Sequence, residues 1–135
     1  MMWWHKLRKN QKGQSLLELA IALPVILLIV FGALEFGRIF HSYIIITHAA
    51  REGVRIGALG ATDAEIINRI REAASLPQAN TNLNITRIEP NQSARISGMP
   101  LTVEVTYDVD LVTPLFSNIL PNPFTLTTQA TMRLE

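Results

Sequence analysis

An α+β fold follows from three features of the 135-residue chain. A charge-free stretch over residues 19–34 runs, without a break, into a second helical pattern that reaches about residue 58. A short amphipathic segment follows over 63–76, and strand-like alternation then recurs near 83–89, 101–109 and 124–134. Together these predict a long N-terminal helix, membrane-spanning in its first half, packed on a short second helix and a small antiparallel sheet of about three strands.

The first helix opens behind a basic head. Lys6, Arg8, Lys9 and Lys12 precede the apolar run with no acid among them, although the formal net charge of the whole chain is only +1. Cations on one flank of a hydrophobic segment place that flank in the cytoplasm. Residues 1–13 therefore read as a basic cytoplasmic leader, 14–35 as a transmembrane helix and 36–135 as an extracytoplasmic domain. The apolar segment is roughly twenty residues long, enough for one crossing. Pro24 lies inside it, where a membrane helix is kinked and not broken. A secretory signal peptide fits less well, because the run is long for an h-region and no small-residue cleavage site closes it. The membrane also accounts for the short basic head without a nucleic acid partner.

Glu18 stands at the start of this run, five residues after Gly13. A carboxylate at the edge of hydrocarbon is costly unless something nearby neutralises it. Beyond residue 35 the pattern becomes amphipathic, with Phe36, Phe40, Tyr43, Thr47, Ala50 and Val54 recurring at helical spacing. Glu35 and Arg38 are one turn apart, as are Glu52 and Arg55, and such pairs interact. They read either as a plain polar face, together with Arg51, or as salt bridges within the domain or between subunits. Ala49, Gly53, Gly57 and Ala61 fall every fourth residue. A stripe with so little side chain admits a close backbone approach, and we expect it to pack on the domain's own second helix or sheet. The competing reading is a frayed helix end.

Thr62-Asp63 starts the second helix, with Asp63 and Glu65 suited to its N-terminus and Ile66, Ile67, Ile70 and Ala74 on its apolar face. Pro77 closes it and residues 78–82 form a turn. Strand 101–109 alternates cleanly, with Leu101, Val103, Val105, Tyr107 and Val109 on one side. In the last strand Phe124, Leu126, Thr128, Ala130, Met132 and Leu134 are expected on one face. Between these strands the proline-broken stretch 111–123, with a short helix opened by Pro114, is expected to contribute to the core, with contact to the membrane or a partner as the alternative.

Chemistry is sparse. There is no cysteine, so disulfides, thiol catalysis and thiolate metal sites are excluded. His5, His41 and His48 do not have metal-ligand spacing. Asn84-Ile85-Thr86 and Asn91-Gln92-Ser93 match the glycosylation acceptor pattern, which is common by chance. No nucleophile has a plausible base and no glycine loop suits phosphate. We expect no enzyme activity, no cofactor, no metal and no small-molecule substrate.

Several stretches coincide in one pattern: GQSLLELAIALPVILLIVFGALEFGRIF followed by HAAREGVRIGAL. This closely resembles the TadE-like family, small bacterial pseudopilins of the tight-adherence (Flp) pilus assembly system. The elements of the likeness are Gly13, Glu18, Pro24, Glu35 to Arg38, and Ala49 to Arg55. The resemblance implies a single-pass protein of the bacterial cytoplasmic membrane, N-terminus inside, that aids assembly of a Flp-type (Tad) type IV pilus. It implies cleavage by a prepilin peptidase between Gly13 and Gln14, and pairing of Glu18 with the freed amine of Gln14, which would set subunit register. It implies helix packing or inter-subunit roles for Glu35, Arg38, Ala49, Arg51, Glu52, Gly53, Arg55 and Gly57. The expected partners are the membrane, the peptidase, and other pilin or pseudopilin subunits and assembly proteins. Gln14 stands where type IV pilins usually carry phenylalanine, and Leu19 where the major Flp pilin carries tyrosine. The chain also bears a domain that the fibre subunit lacks, so the likeness points to a minor or assembly component. The alternative is a membrane-tethered binding or sensor domain with an uncleaved anchor.

Overall fold

The computed structural model describes residues 11–135, so most of the leader expected over 1–13, with His5, lies outside the described residues. The chain divides into two compact units, one up to Leu34 and one from Glu35 to Glu135. The element order is α1 (Gln11–Ala58), α2 (Asp63–Ala73), α3 (Ala79–Asn82), β1 (Leu83–Glu89), β2 (Pro100–Val109), α4 (Pro114–Ser117) and β3 (Phe124–Arg133). A single turn of 3₁₀ helix, Gln92–Ala94, interrupts the connection between β1 and β2.

In the first unit α1 runs through Pro24 without interruption. It begins at Gln11, earlier than the expected start near 15, so Gly13 and Gln14 are already helical. One glycine costs a helix only about 1 kcal/mol, which flanking helix formers such as Gln and Lys offset. From Leu16 to Leu34 the large apolar side chains are exposed, Ile21 and Leu16 to 67%. Among the described residues α1 contains the one helix long and apolar enough to cross a membrane.

In the second unit the sheet order is β1-β2-β3, antiparallel throughout. Leu101, Val103, Val105, Tyr107 and Val109 of β2 are all buried, as period-two alternation requires of a strand with one face on the core. A register shift between Ile85 and Arg87 places Ile85 opposite Val105 and Ile88 opposite Val103, keeping both isoleucines on the inner face despite their odd spacing. The outer face is polar and laced by hydroxyls: Thr102 meets Thr131 at 2.9 Å, and Thr86 donates to a Glu104 carboxylate oxygen at 2.8 Å. The core joins this inner face to Ile46, Ala49, Ala50 and Val54 of α1 and Ile66 and Ile70 of α2.

Capping sets the start of α2. Thr62 accepts from the Glu65 backbone N–H at 3.3 Å, and the Glu65 carboxylate accepts from the Thr62 N–H at 2.8 Å. This reciprocal pair satisfies two donors that every helix start leaves open. The helix ends at Ala73, three residues short of the expected 76. Pro77 explains this: it disfavours helical geometry at the residue before it and clashes with the carbonyl four residues back. The expected turn over 78–82 contains a further helical turn, α3, entered through Gln78 in a left-handed conformation (φ 54°).

Three expectations about the core are corrected. On α1 the buried stripe is Glu35, Ile39, Ser42, Ile46, Ala49, Ala50 and Val54, whereas Phe36, Phe40 and Tyr43 face outward. The sheet selects the face with small residues because it permits the closer approach. Met132 of β3 is exposed while Leu134, just past the strand, is buried. Stretch 111–123 contributes only Leu111 to the buried core; Val112 and Ile119 are each 71% exposed.

Candidate functional site along the first helix

The residues singled out by the sequence form three groups on α1. The first lies where the apolar run begins. Gly13 is exposed, and Gln14 donates its side-chain amide to the Glu18 carboxylate at 3.3 Å, one turn on. In the intact chain a neutral donor thus occupies one lone pair of the acid. No cation is paired with Glu18 among the described residues.

The second group is Glu35 and Arg38. Glu35 is 4% exposed, an uncommon state for a carboxylate and one that demands partners. It has them. Arg38 Nη1 lies 3.3 Å from Oε1, the Val112 backbone N–H donates to Oε1 at 2.9 Å, and the Thr113 hydroxyl donates to Oε2 at 3.1 Å. Arg38 Nη2 donates to the Asp110 carbonyl at 3.2 Å. Acid and base, one turn apart, therefore act as a two-pronged clamp on the chain leaving β2. The plain polar-face reading does not describe this pair. Val112, Thr113 and the Asp110 carbonyl were not legible as partners, because no short-range spacing links residue 35 to residues 110–113.

The third group occupies the C-terminal part of the helix. Ala49 is fully buried. A Cβ placed on Gly53 would come within 2.4 Å of Ile70 Cγ1, and one on Gly57 within 2.5 Å of Leu101 Cδ2 and 2.7 Å of Ile66 Cδ1. The stripe of small residues is the seat for α2 and for the start of β2. By contrast, nothing lies within 4 Å of a Cβ built on Gly37. On the flank of the stripe Glu52 accepts from Arg55 at 3.0 Å and from Arg69 of α2 at 3.1 Å. The Arg55 hydrogen bond, then that of Arg69, holds the Glu52 carboxyl below its ordinary range. Arg51 is exposed and points away from these contacts, with no ion pair among the described residues.

Sequence reasoning missed Arg95. It reaches from the β1–β2 connection to the Asp63 carboxylate and donates to the Ala61 carbonyl at 2.9 Å and the Pro90 carbonyl at 3.3 Å. The acid at the start of α2 was visible; its cation, 32 residues away, was not. Tyr107 likewise sits on the expected inner face, but its hydroxyl donates to the Pro77 carbonyl at 2.7 Å, a partner no pattern disclosed.

The second and third groups are arranged for packing: a buried anchor, and a small-residue seat flanked by a surface ion pair. Residues 13–55 match the family model described as TadE-like protein, a span that opens at Gly13 and closes at Arg55 and so contains nearly all of the three groups. No curated protein and no solved structure matches the chain. The sheet lies outside the matched span, which covers about a third of the chain. From Gly13 to Arg55, then, this chain is similar to TadE-like proteins.

Proposed function

We propose that the protein is a minor, pilin-like subunit that assists assembly of a Tad (Flp-type) pilus from a single crossing of the bacterial cytoplasmic membrane. Its leader stays in the cytoplasm and the domain from residue 36 onward lies outside. It acts by assembly and not by catalysis. The observation that carries this reading is the family match over 13–55, which takes in both the apolar stretch and the small-residue seat of one helix. The exposure of the apolar side chains from Leu16 to Leu34 supports it, since side chains of that size need lipid or neighbouring helices around them. In this reading prepilin peptidase removes residues 1–13, and the new amine of Gln14 takes the place of its side-chain amide beside Glu18, here or in a neighbouring subunit. A carboxylate paired with an amine near hydrocarbon is worth several kcal/mol relative to an unpaired one.

Photo-crosslinking in cells that carry a Tad pilus locus tests this. A photoreactive side chain in place of Leu27 or Phe40, both exposed, should trap pilin or pseudopilin subunits or pilus assembly proteins. The same group at Thr127, on the outer face of β3, serves as the solvent-facing comparison. Adducts at residues 27 and 40 with lipid alone, in cells that make pili, would leave a tethered domain with no assembly role.

A further inference from the structure

Residues 111–123 contain no charged side chain, yet the fold buries only Leu111 among them. Val112, Leu115 and Ile119 are exposed, and Phe116 is only half-buried. An apolar patch this continuous marks a surface that something else covers.

Its position says what. Val112 and Thr113 are held on the Glu35 carboxylate. Glu35 is the first charged residue after the charge-free run 19–34, so anything tied to it sits where the helix passes from apolar to charged sequence. With a rise of about 1.5 Å per residue, Phe36 and Phe40 lie within roughly two turns of that point. Both are exposed, and Phe36 meets Phe116 edge-on with ring centroids 6.4 Å apart. Helix and loop thus share one apolar surface. Arg38, paired with Glu35 and with its side chain 47% exposed, lies at the same level.

Most of the backbone donors over 111–120 are met within the protein, which suits a poorly hydrated setting. Phe116 and Ser117 donate to the Thr113 carbonyl, Ile119 and Leu120 to that of Phe116, Leu111 to the Asn122 side chain and Val112 to Glu35. Pro114, Pro121 and Pro123 have no N–H to satisfy. Backbone near hydrocarbon must have its donors met internally, whereas a water-facing loop has no such need. Exposed aromatic and aliphatic side chains are what an element lying in a membrane interface presents to lipid.

We propose that residues 111–120 form an interfacial element seated in the extracytoplasmic leaflet, with Val112, Leu115, Phe116 and Ile119 among the acyl chains and Glu35 as its tether. The proposal rests on the reading of α1 as a membrane span. The element is a second lipid attachment, separate in sequence from the first.

Site-directed spin labelling tests it, since the chain has no native cysteine to remove. The full chain, with Cys at 112, 115 or 119, is reconstituted in vesicles of phosphatidylethanolamine and phosphatidylglycerol. Collision of the label with oxygen is compared with collision with a water-soluble nickel chelate. Ile26→Cys reports on the span and Thr127→Cys on bulk water. We expect positions 112, 115 and 119 to favour oxygen several-fold over position 127 and to lie shallower than 26. Adding Glu35→Gln to the labelled 119 variant should reduce that preference and leave position 26 unchanged. Labels at 112–119 that behave like 127 while 26 is in hydrocarbon would overturn the proposal and leave the span standing. Labels immobile and shielded from both reagents would overturn it in favour of a protein cover. A water-exposed label at 26 would remove the span itself and this proposal with it.

Discussion

The two halves of α1 differ in composition and meet opposite fates: 19–34 carries no charge, whereas Glu35, Arg38, Arg51, Glu52 and Arg55 punctuate the rest. Before residue 35 most of the apolar side chains are large, and these are exposed. After residue 35 the covered face is built from Ile39, Ser42, Ile46, Ala49, Ala50, Gly53, Val54 and Gly57, while Phe36, Phe40 and Ile44 point outward. In the second half Ala49, Gly53 and Gly57 supply a face that α2 and β2 approach closely. Close packing needs a surface another element can approach; lipid chains, being fluid, need none.

The comparison breaks most sharply at the stripe. Gly53→Leu or Gly57→Leu should destabilise the domain by about 3 kcal/mol or more, because the added atoms enter space held by Ile70, Ile66 and Leu101. Gly37→Leu, on the same helix with open space around it, should not destabilise and should gain up to about 1 kcal/mol from helix propensity. Urea unfolding of the full chain in detergent, followed by circular dichroism, reads both. Equal effects at 37 and 53 would show that the stripe is not the seat of the sheet and second helix.

Next in size is the clamp. Glu35→Ala removes a buried acceptor from Arg38, Val112 and Thr113 and should cost about 2 kcal/mol, with Glu35→Gln milder because it keeps one acceptor oxygen. Amide exchange at Val112 should rise in both variants. Tyr107→Phe should cost about 1 kcal/mol for the lost bond to Pro77.

The smallest effects are electrostatic. Glu52 and Glu65 both have carboxyl groups held below the ordinary range, Glu52 chiefly by Arg55 and Glu65 by the Thr62 backbone N–H. A depressed carboxyl stabilises the fold above its unfolded pKa, about 4.3, and that contribution fades as pH falls through the lower folded value. Stability should therefore dip modestly on the acid side, and Glu52→Gln combined with Glu65→Gln should flatten the dip. Burial pushes the Tyr107 hydroxyl up, which works the opposite way: its contribution holds below pH 10 and fades as pH rises through the folded value. A pH titration of the unfolding midpoint in Tyr107→Phe should lose that alkaline component.

The fold was legible because its signals are local. Period-two alternation in 101–109, the charge-free run before Glu35 and the acids at the start of α2 each report on their own neighbourhood. The small stripe was legible because helical spacing puts Ala49, Gly53 and Gly57 on one face. What stayed hidden are long-range partners of single polar atoms. Val112 and Thr113 on Glu35, Arg95 on Asp63 and Tyr107 on Pro77 depend on the assembled tertiary structure. The choice between core and outer contact for the apolar loop 111–123 was open in the sequence for a related reason: its composition signals a need for cover without saying what provides it.

The central claim is that α1 is a prepilin-type helix and not a plain anchor. The intact mass of the full chain, extracted from membranes of cells with and without the cognate prepilin peptidase, tests it most directly. The account predicts loss of residues 1–13 only when the peptidase is present, and no loss in Gly13→Val. An unchanged mass, with the peptidase processing a control substrate in the same cells, would contradict it.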